Sequence, residues 1–267
     1  MKKVILGISV IFLCSLFPLL CLSADPAAVL LDEITSKTAS TLKAIDLDIS
    51  KAAKIIGEGI SPATDMRRAL RDLCTGKSYS IDCSFINAKG VMEIVEPEKY
   101  RKFEGTNLKD QAVVSRIRTT RRPVFSQLFT AAEGFQGIVF EYPVFNPKKE
   151  FAGSVSLFVV PELLMQEVLK NVKLGPGTGI TVVQPDGTNV YASDPEQARL
   201  NVLKSPEYKG FGELHQMVGR IVNEKEGKGT YRYTKPGTEK VVKKSAVWKT
   251  VPLYDSYWRV VVTTEGK

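Results

Sequence analysis

The stretch Ser115–Phe135, SRIRTTRRPVFSQLFTAAEGF, concentrates side chains that bind anions. It contains four arginines within seven positions: Arg116, Arg118, Arg121 and Arg122. A guanidinium can hold a carboxylate with two parallel hydrogen bonds. Cations in the last turn of a helix also complement the helix dipole, which accounts for Arg121 and Arg122 without any ligand. The sequence therefore leaves Arg116 and Arg118 as the candidates for an anion clamp.

Aromatic and small polar residues on three predicted strands complete the candidate ligand-binding set. On one strand that starts at Pro123, Phe125, Gln127 and Phe129 share a face because side chains alternate along a strand. Small polar residues in an otherwise apolar strand leave room and supply hydrogen bonds, as ligand pockets require. The following two strands contribute Glu141, Ser154 and Ser156. The alternative is that these polar side chains simply face solvent.

Other reactive patterns give no enzyme signature. The glycine-rich stretch at 174–180 comes after a helix and before a strand, the reverse of a phosphate-binding loop. His215 is the only histidine and lies among apolar residues, as a packed structural histidine does. No spacing of cysteine, histidine or carboxylate residues indicates a metal site. We therefore expect no catalytic residue, no metal and no cofactor.

The N-terminus predicts export. Two lysines precede an almost entirely apolar run at 4–22, and Ser23 and Ala24 follow. That order is typical of a secretory signal peptide at 1–24, cleaved after Ala24. The alternative is an uncleaved anchor, because the apolar run is long enough to span a bilayer. Both interpretations locate the protein in the periplasm or outside the cell.

Cysteine use and charge agree with that compartment. Beyond the leader only Cys74 and Cys83 remain, and in an oxidising compartment this pair predicts a disulfide across a turn. The alternative is two buried thiols. The formal net charge of +8 suits anionic solutes or membrane surfaces, whereas genomic nucleic acid is excluded by location. Hydrophobic residues make up 43% of the chain, enough for a globular core.

Periodicity predicts a long helix followed by two similar modules. Apolar residues recur every three or four positions from 27 to 58, which makes one stripe along a stalk helix within 25–61. Two hairpins with a glycine in the turn, near Gly90 and Gly187, each end in a proline before helical sequence. We therefore predict a mixed α/β (α+β) fold in which the helix braces two PAS-like modules with antiparallel sheets, at 62–160 and 161–267.

The order of several loose motifs resembles the double Cache domain, the extracytoplasmic sensor region of many prokaryotic chemoreceptors and histidine kinases. The stretches that carry the resemblance are EGTNLKDQ, RRPVFS and YPVFNPKKEFAGSVS, within about residues 27–265. The family architecture is a long helix beside two PAS-like modules. The resemblance implies that a small molecule binds in the membrane-distal module, here 62–160.

Departures from the amino-acid-binding subgroup of that family narrow the expected ligand. The subgroup has an arginine and an aromatic residue at the start of a helix where this chain has Gln111 and the pair Val113–Val114. Phe129 fits the subgroup's aromatic residue on the next strand, but Ala131 takes the place of the acid. An ammonium group would then lack a partner. The resemblance therefore predicts a small carboxylate, or an apolar or aromatic acid, as the ligand.

The resemblance also implies a partner. Family members usually continue into a second membrane helix and a signalling domain, whereas this chain ends at Lys267. We expect a solute-binding sensor that acts through a transmembrane receptor or kinase, with a possible homodimer through the N-terminal helix. The alternative is an interaction module with a vestigial pocket that dimerises or docks through that helix.

Overall fold

The computed structural model describes residues 25–58, 63–234 and 240–266. The predicted leader at 1–24, its alternative as an anchor and the last residues of the predicted stalk lie outside these ranges. Within them, no helix combines the length and apolar character needed to cross a membrane.

The N-terminal helix α1 spans Pro26–Gly57, as the periodicity predicts. The Asp25 side chain caps it by accepting a hydrogen bond from the Ala27 amide at 3.0 Å. Its apolar stripe is buried along the whole length: Leu31, Ile34, Leu42, Ile45, Ile49, Ala52 and Ile56. Because these residues recur every three or four positions, they form one continuous surface for packing.

The first sheet is antiparallel and follows a second helix, α2 (Ala63–Cys74). Its strands are β1 (Ser80–Asn87), β2 (Met92–Glu96), β3 (Val124–Phe125), β4 (Phe129–Thr130), β5 (Gln136–Phe145) and β6 (Phe151–Val159). They are arranged in the order β2-β1-β6-β5-β3, with β4 also paired to β5. The helix α3 (Ala112–Thr120) lies between β2 and β3 in the chain.

The second sheet is also antiparallel and follows α4 (Pro161–Leu169). Its strands are β7 (Thr178–Val183), β8 (Asn189–Ala192), β9 (Glu226–Thr234), β10 (Val241–Leu253) and β11 (Ser256–Glu265). The order is β8-β7-β11-β10-β9, and α5 (Gly212–Asn223) precedes β9. The predicted fold class, two antiparallel-sheet modules with a long N-terminal helix, is confirmed.

The two faces of the first sheet have different partners. Phe85, Phe140 and Leu157 point to the back, where they join one apolar cluster with the α1 stripe. Ile86, Val139 and Phe158 point to the front and pack with residues of α3. The cluster behind the sheet also contains Trp258 and Val260 of β11, so α1 packs against both sheets.

The segment at 123–130 differs from the single strand that alternation predicts. It forms two short strands, and between them the Leu128 amide donates to Oε1 of Gln184 in the second sheet's module at 2.8 Å. The break ends the alternation, so Phe125 and Phe129 do not share a face. Phe125 points to the back, where its ring centroid lies 5.3 Å from that of Trp258. Phe129 points to the front.

The predicted disulfide is confirmed. It joins Cys74 at the end of α2 to Cys83 in β1, with Cα atoms 5.9 Å apart. Because Cys83 is fully buried, the bridge fixes α2 directly to the central part of the sheet.

We expect reduction of this disulfide to lower the free energy of unfolding by about 2–3 kcal/mol, since the reduced chain regains the entropy of a short closed loop. Denaturant titrations with and without a reductant measure the difference. In the double variant Cys74→Ala/Cys83→Ala, the reductant should have no effect. An equal response of the variant would assign the effect to another thiol.

Candidate functional site

A small cavity lies at the front of the first sheet, where α3 and the segment 129–133 cover the strands. Its volume is about 30 Å³, compared with the roughly 10–15 Å³ that one water molecule needs. Polar side chains enter it from five parts of the chain: Asp82, Ser84, Gln111, Glu133, Glu141 and Ser156. None of the described residues that line it is basic.

Strand register brings most of these groups together. Ser84 on β1 pairs with Ser156 on β6, and Ser156 pairs with Glu141 on β5, so the three form a row across the sheet. Asp82 lies in the adjacent row, opposite Phe158. Residues two apart on a strand point to the same face, so both rows face the cavity.

Three carboxylates in this cavity are incompletely paired. Asp82 and Glu141 are only 2% and 0% exposed. Oδ2 of Asp82, Oε1 of Glu133 and Oε2 of Glu141 are buried and accept no hydrogen bond from the described residues. The other Glu141 oxygen, Oε1, accepts a hydrogen bond from Ser154 Oγ at 2.5 Å. Unpaired buried oxygens are costly, because removal from water is not offset by a new partner.

Burial favours the neutral form of all three acids. It raises the pKa of Glu141 to about 7, although the hydrogen bond from Ser154 opposes the rise. Burial also raises the pKa of Asp82 well above its usual range, and the nearby Glu133 charge adds to this. The pKa of Glu133 is raised by burial too. An empty cavity therefore favours bound protons, whereas a cation within it would favour the ionised carboxylates.

The acids correct the inference that a ligand ammonium would lack a partner. Ala131, directly after β4, is not acidic, but Glu133 reaches the cavity from two residues further along. Glu141 supplies a second carboxylate, next to Ser156 on the neighbouring strand. Asp82 is not among the candidates predicted from the sequence. One signal for it was present in the sequence, since Asp82 interrupts a strand of apolar and small residues.

Of the residues proposed from the sequence, four lie at or beside this cavity. Phe129, Glu141 and Ser156 line it, and Ser154 bonds to Glu141. Phe125 and Gln127 are elsewhere, because the chain breaks between β3 and β4. Phe125 is buried behind the sheet, and Gln127 is exposed.

Neither arginine candidate lines the cavity. The exposed Arg116 pairs through Nη2 with the Asp255 carboxylate between β10 and β11. Arg118 donates from Nε to the Ala88 carbonyl oxygen at 3.1 Å. Arg121 ends α3 in the left-handed conformation, with φ of 56°, and stacks on the Phe151 ring. These arginines thus stabilise the end of α3 and its contacts.

A larger cavity of about 330 Å³ lies in the second sheet's module, lined by Tyr208, Tyr231 and Tyr233. Its charged groups are of both signs, and Lys240 pairs with Glu265 at 3.7 Å. None of the buried, unpaired side-chain atoms found among the described residues belongs to its lining. Of the two cavities, only the one in the first sheet thus contains polar atoms that call for a ligand.

The described ranges contain no assembled metal site. No group of three or more histidine, cysteine or carboxylate side chains there is arranged to hold a metal ion. His215 lies in α5, and its Nε2 atom is buried without a hydrogen-bond partner among the described residues.

Comparisons with known proteins agree with this architecture. Residues 40–161 match the family model for the HK/GC/chemotaxis protein-like sensor domain, a family of ligand-binding domains rather than enzymes. No curated protein matches the chain in sequence.

Solved structures of sensor domains share the whole fold. An extracellular ligand-binding receptor from Desulfohalobium retbaense superimposes with a TM-score of 0.74 at 24% identity, over 89% of this chain and 40% of that one. The chain therefore spans less than half the length of that receptor. The extracellular domain of the putative histidine kinase rpHK1S-Z16 gives 0.69 at 15% identity, covering 90% and 92% of the two chains.

A third structure is the ligand-binding domain of the Pseudomonas aeruginosa amino acid chemoreceptor PctB in complex with L-Gln. It gives a TM-score of 0.61 at 12% identity, covering 90% of this chain and 89% of that one. At these identities the likeness shows the fold. The chain thus has the fold of double Cache sensor domains, and its residues 40–161 match the HK/GC/chemotaxis protein-like sensor domain in sequence.

Proposed function

We propose that this chain is an extracytoplasmic sensor that binds a small molecule through a protonated amine in the cavity of its first sheet. The observation that carries the proposal is the set of three unpaired carboxylate oxygens, from Asp82, Glu133 and Glu141, in one cavity without a basic residue among its described lining.

An ammonium group fits this site in both number and charge. A primary ammonium has three N–H donors, the same number as the unpaired carboxylate oxygens of the cavity. Hydrogen bonds between charged partners are about twice as strong as neutral ones. The cation would also offset the repulsion that the carboxylates exert on one another once they ionise.

The similar structures support a ligand of this kind. L-Gln, bound by PctB, carries an ammonium group, although the likeness to that domain is one of fold. The small carboxylate predicted from the sequence depended on Arg116 or Arg118, and neither reaches the cavity. An amine therefore replaces the carboxylate as the ligand that the geometry favours.

Signalling would require a membrane partner. The similar structures belong to receptors and histidine kinases, so we propose that ligand binding is passed to a receptor or kinase. The α1 helix offers a dimer surface, since Val29, Leu47 and Ile55 are each about half exposed.

A second candidate function is the interaction module with a vestigial pocket. The observation that favours it is the volume of the cavity, about 30 Å³, which admits little more than an ammonium-sized group. Ligand titrations separate the two functions.

Primary amines should stabilise the full chain against thermal unfolding, by about 2.7 kcal/mol at a concentration 100 times the dissociation constant. Glu141→Gln and Asp82→Asn each remove a charged acceptor, so we expect at least tenfold weaker binding. The matched control Glu98→Gln removes an acid whose side chain is 85% exposed, and binding should be unchanged. If neither amines nor amino acids stabilise the folded wild-type chain, the vestigial-pocket alternative is favoured.

Without ligand, the chain should lose stability as pH rises from about 5 to 7. The folded state retains a proton on Glu141, with its pKa near 7, that the unfolded state has already released, so the unfolded state gains relative stability. A shift of this size corresponds to about 3 kcal/mol. Denaturant titrations at several pH values give the free energy of unfolding as a function of pH. This free energy should fall less steeply with pH in Glu141→Gln than in the wild type, while Glu98→Gln should follow the wild type. A wild-type stability that rises with pH over the same range would contradict the assignment.

A further inference from the structure

We infer that the ligand is a small amine without a carboxylate, and not an α-amino acid. The inference rests on the amine-binding function proposed above and adds the class of amine. It depends on what the cavity lacks as well as on its three acids.

A ligand carboxylate would find no cationic side chain in the described lining of this cavity. Gln111 occupies the place where a basic residue at the start of α3 would reach the ligand, and it is neutral. The two arginines further along α3 are engaged outside the cavity, Arg116 with Asp255 and Arg118 with the Ala88 carbonyl. An α-carboxylate would instead be held close to three acidic side chains.

The strongest rival anion site is the N-terminus of α3. Gln111, Val113 and Val114 line the cavity there, and the first backbone amides of a helix attract anions. This end carries only about half a positive charge. A bound ammonium favours the ionised forms of Asp82, Glu133 and Glu141. Half a positive charge does not offset their negative charges, so a ligand carboxylate would be repelled.

The remaining lining residues indicate what the rest of the ligand is like. Apart from the polar groups, the lining is apolar, with Ile86, Leu108, Val113, Phe129 and Phe158 among its residues. Such a wall favours a hydrocarbon chain next to the ammonium group. Because the space is about 30 Å³, a longer chain would have to displace α3 or the segment 129–133. The geometry therefore points to short aliphatic primary amines.

Decarboxylation pairs test the inference directly. Calorimetric titration of the full chain compares isobutylamine with valine and ethylamine with alanine, since each pair differs by one carboxylate. We expect each amine to bind at least tenfold more tightly than its amino acid. Valinamide, which has the bulk of valine but no negative charge, should bind closer to isobutylamine than to valine if charge is the cause.

The outcomes separate this inference from the proposed function. Valine that binds as tightly as isobutylamine, or valinamide that is rejected as strongly as valine, overturns the charge argument and leaves the amine-binding function intact. If the chain binds amino acids but no simple amine, this inference is likewise overturned, while the amine-binding function stands. If no amine-bearing compound binds at all, the proposed function and this inference both fail.

A gain of specificity gives an independent check. Gln111→Arg adds a cation at the start of α3, so valine should gain affinity at least tenfold while isobutylamine loses it. The matched control Thr119→Arg adds the same charge at an exposed position of the same helix, and the preference for amines should persist. A Gln111→Arg chain that melts like the wild type yet still rejects valine would count against the inference. If that variant does not fold, the wild-type pairs alone decide.

Discussion

Packing of the α1 stripe behind both sheets is the constraint on which the rest of the structure depends. It covers the back of the first sheet, where Phe140 and Leu157 join Ile45 and Ile49 in one apolar cluster. The front is then left to a thinner cover, formed by α3 and the loop that follows it. Strand alternation assigns each residue of the first sheet to one of these two environments. A polar residue at the front therefore becomes part of a cavity instead of the main core.

The cavity is an electrostatic exception in a well-packed protein. Buried acids ordinarily have partners, and elsewhere in this module they do. Glu96, for example, is 1% exposed and lies within salt-bridge distance of Arg67, Arg71 and Arg101. Asp82 and Glu141 are buried to nearly the same extent as Glu96, but no basic side chain among the described residues pairs with them. Buried acids without partners in a concave site are a usual mark of function, because such a site sacrifices stability for binding.

Much of the fold follows from local sequence. The period of apolar residues predicts α1 almost to its ends, and the compartment predicts the Cys74–Cys83 bridge. The prediction of one continuous strand at 123–129 was wrong, because alternation contains no information about Gln184, whose side chain accepts a hydrogen bond from the Leu128 amide within the break. That long-range contact separates Phe125 from Phe129. The sequence likewise could not show that Arg116 and Arg118 lie outside the cavity, because their partners Asp255 and Ala88 are distant in sequence.

The sequence by itself determined the long helix, the two modules, the disulfide and the sensor-type architecture, because periodicity, turn chemistry and the order of motifs are local properties. It also singled out Phe129, Glu141, Ser154 and Ser156, which lie at or beside the cavity, since small polar residues among apolar ones are visible in a single strand. Only the tertiary structure decided the charge of the cavity. Asp82, Glu133 and Glu141 come from separate segments, and antiparallel register and the chain path after β4 bring them together. Spacing along the chain cannot show a cluster that exists only across strands.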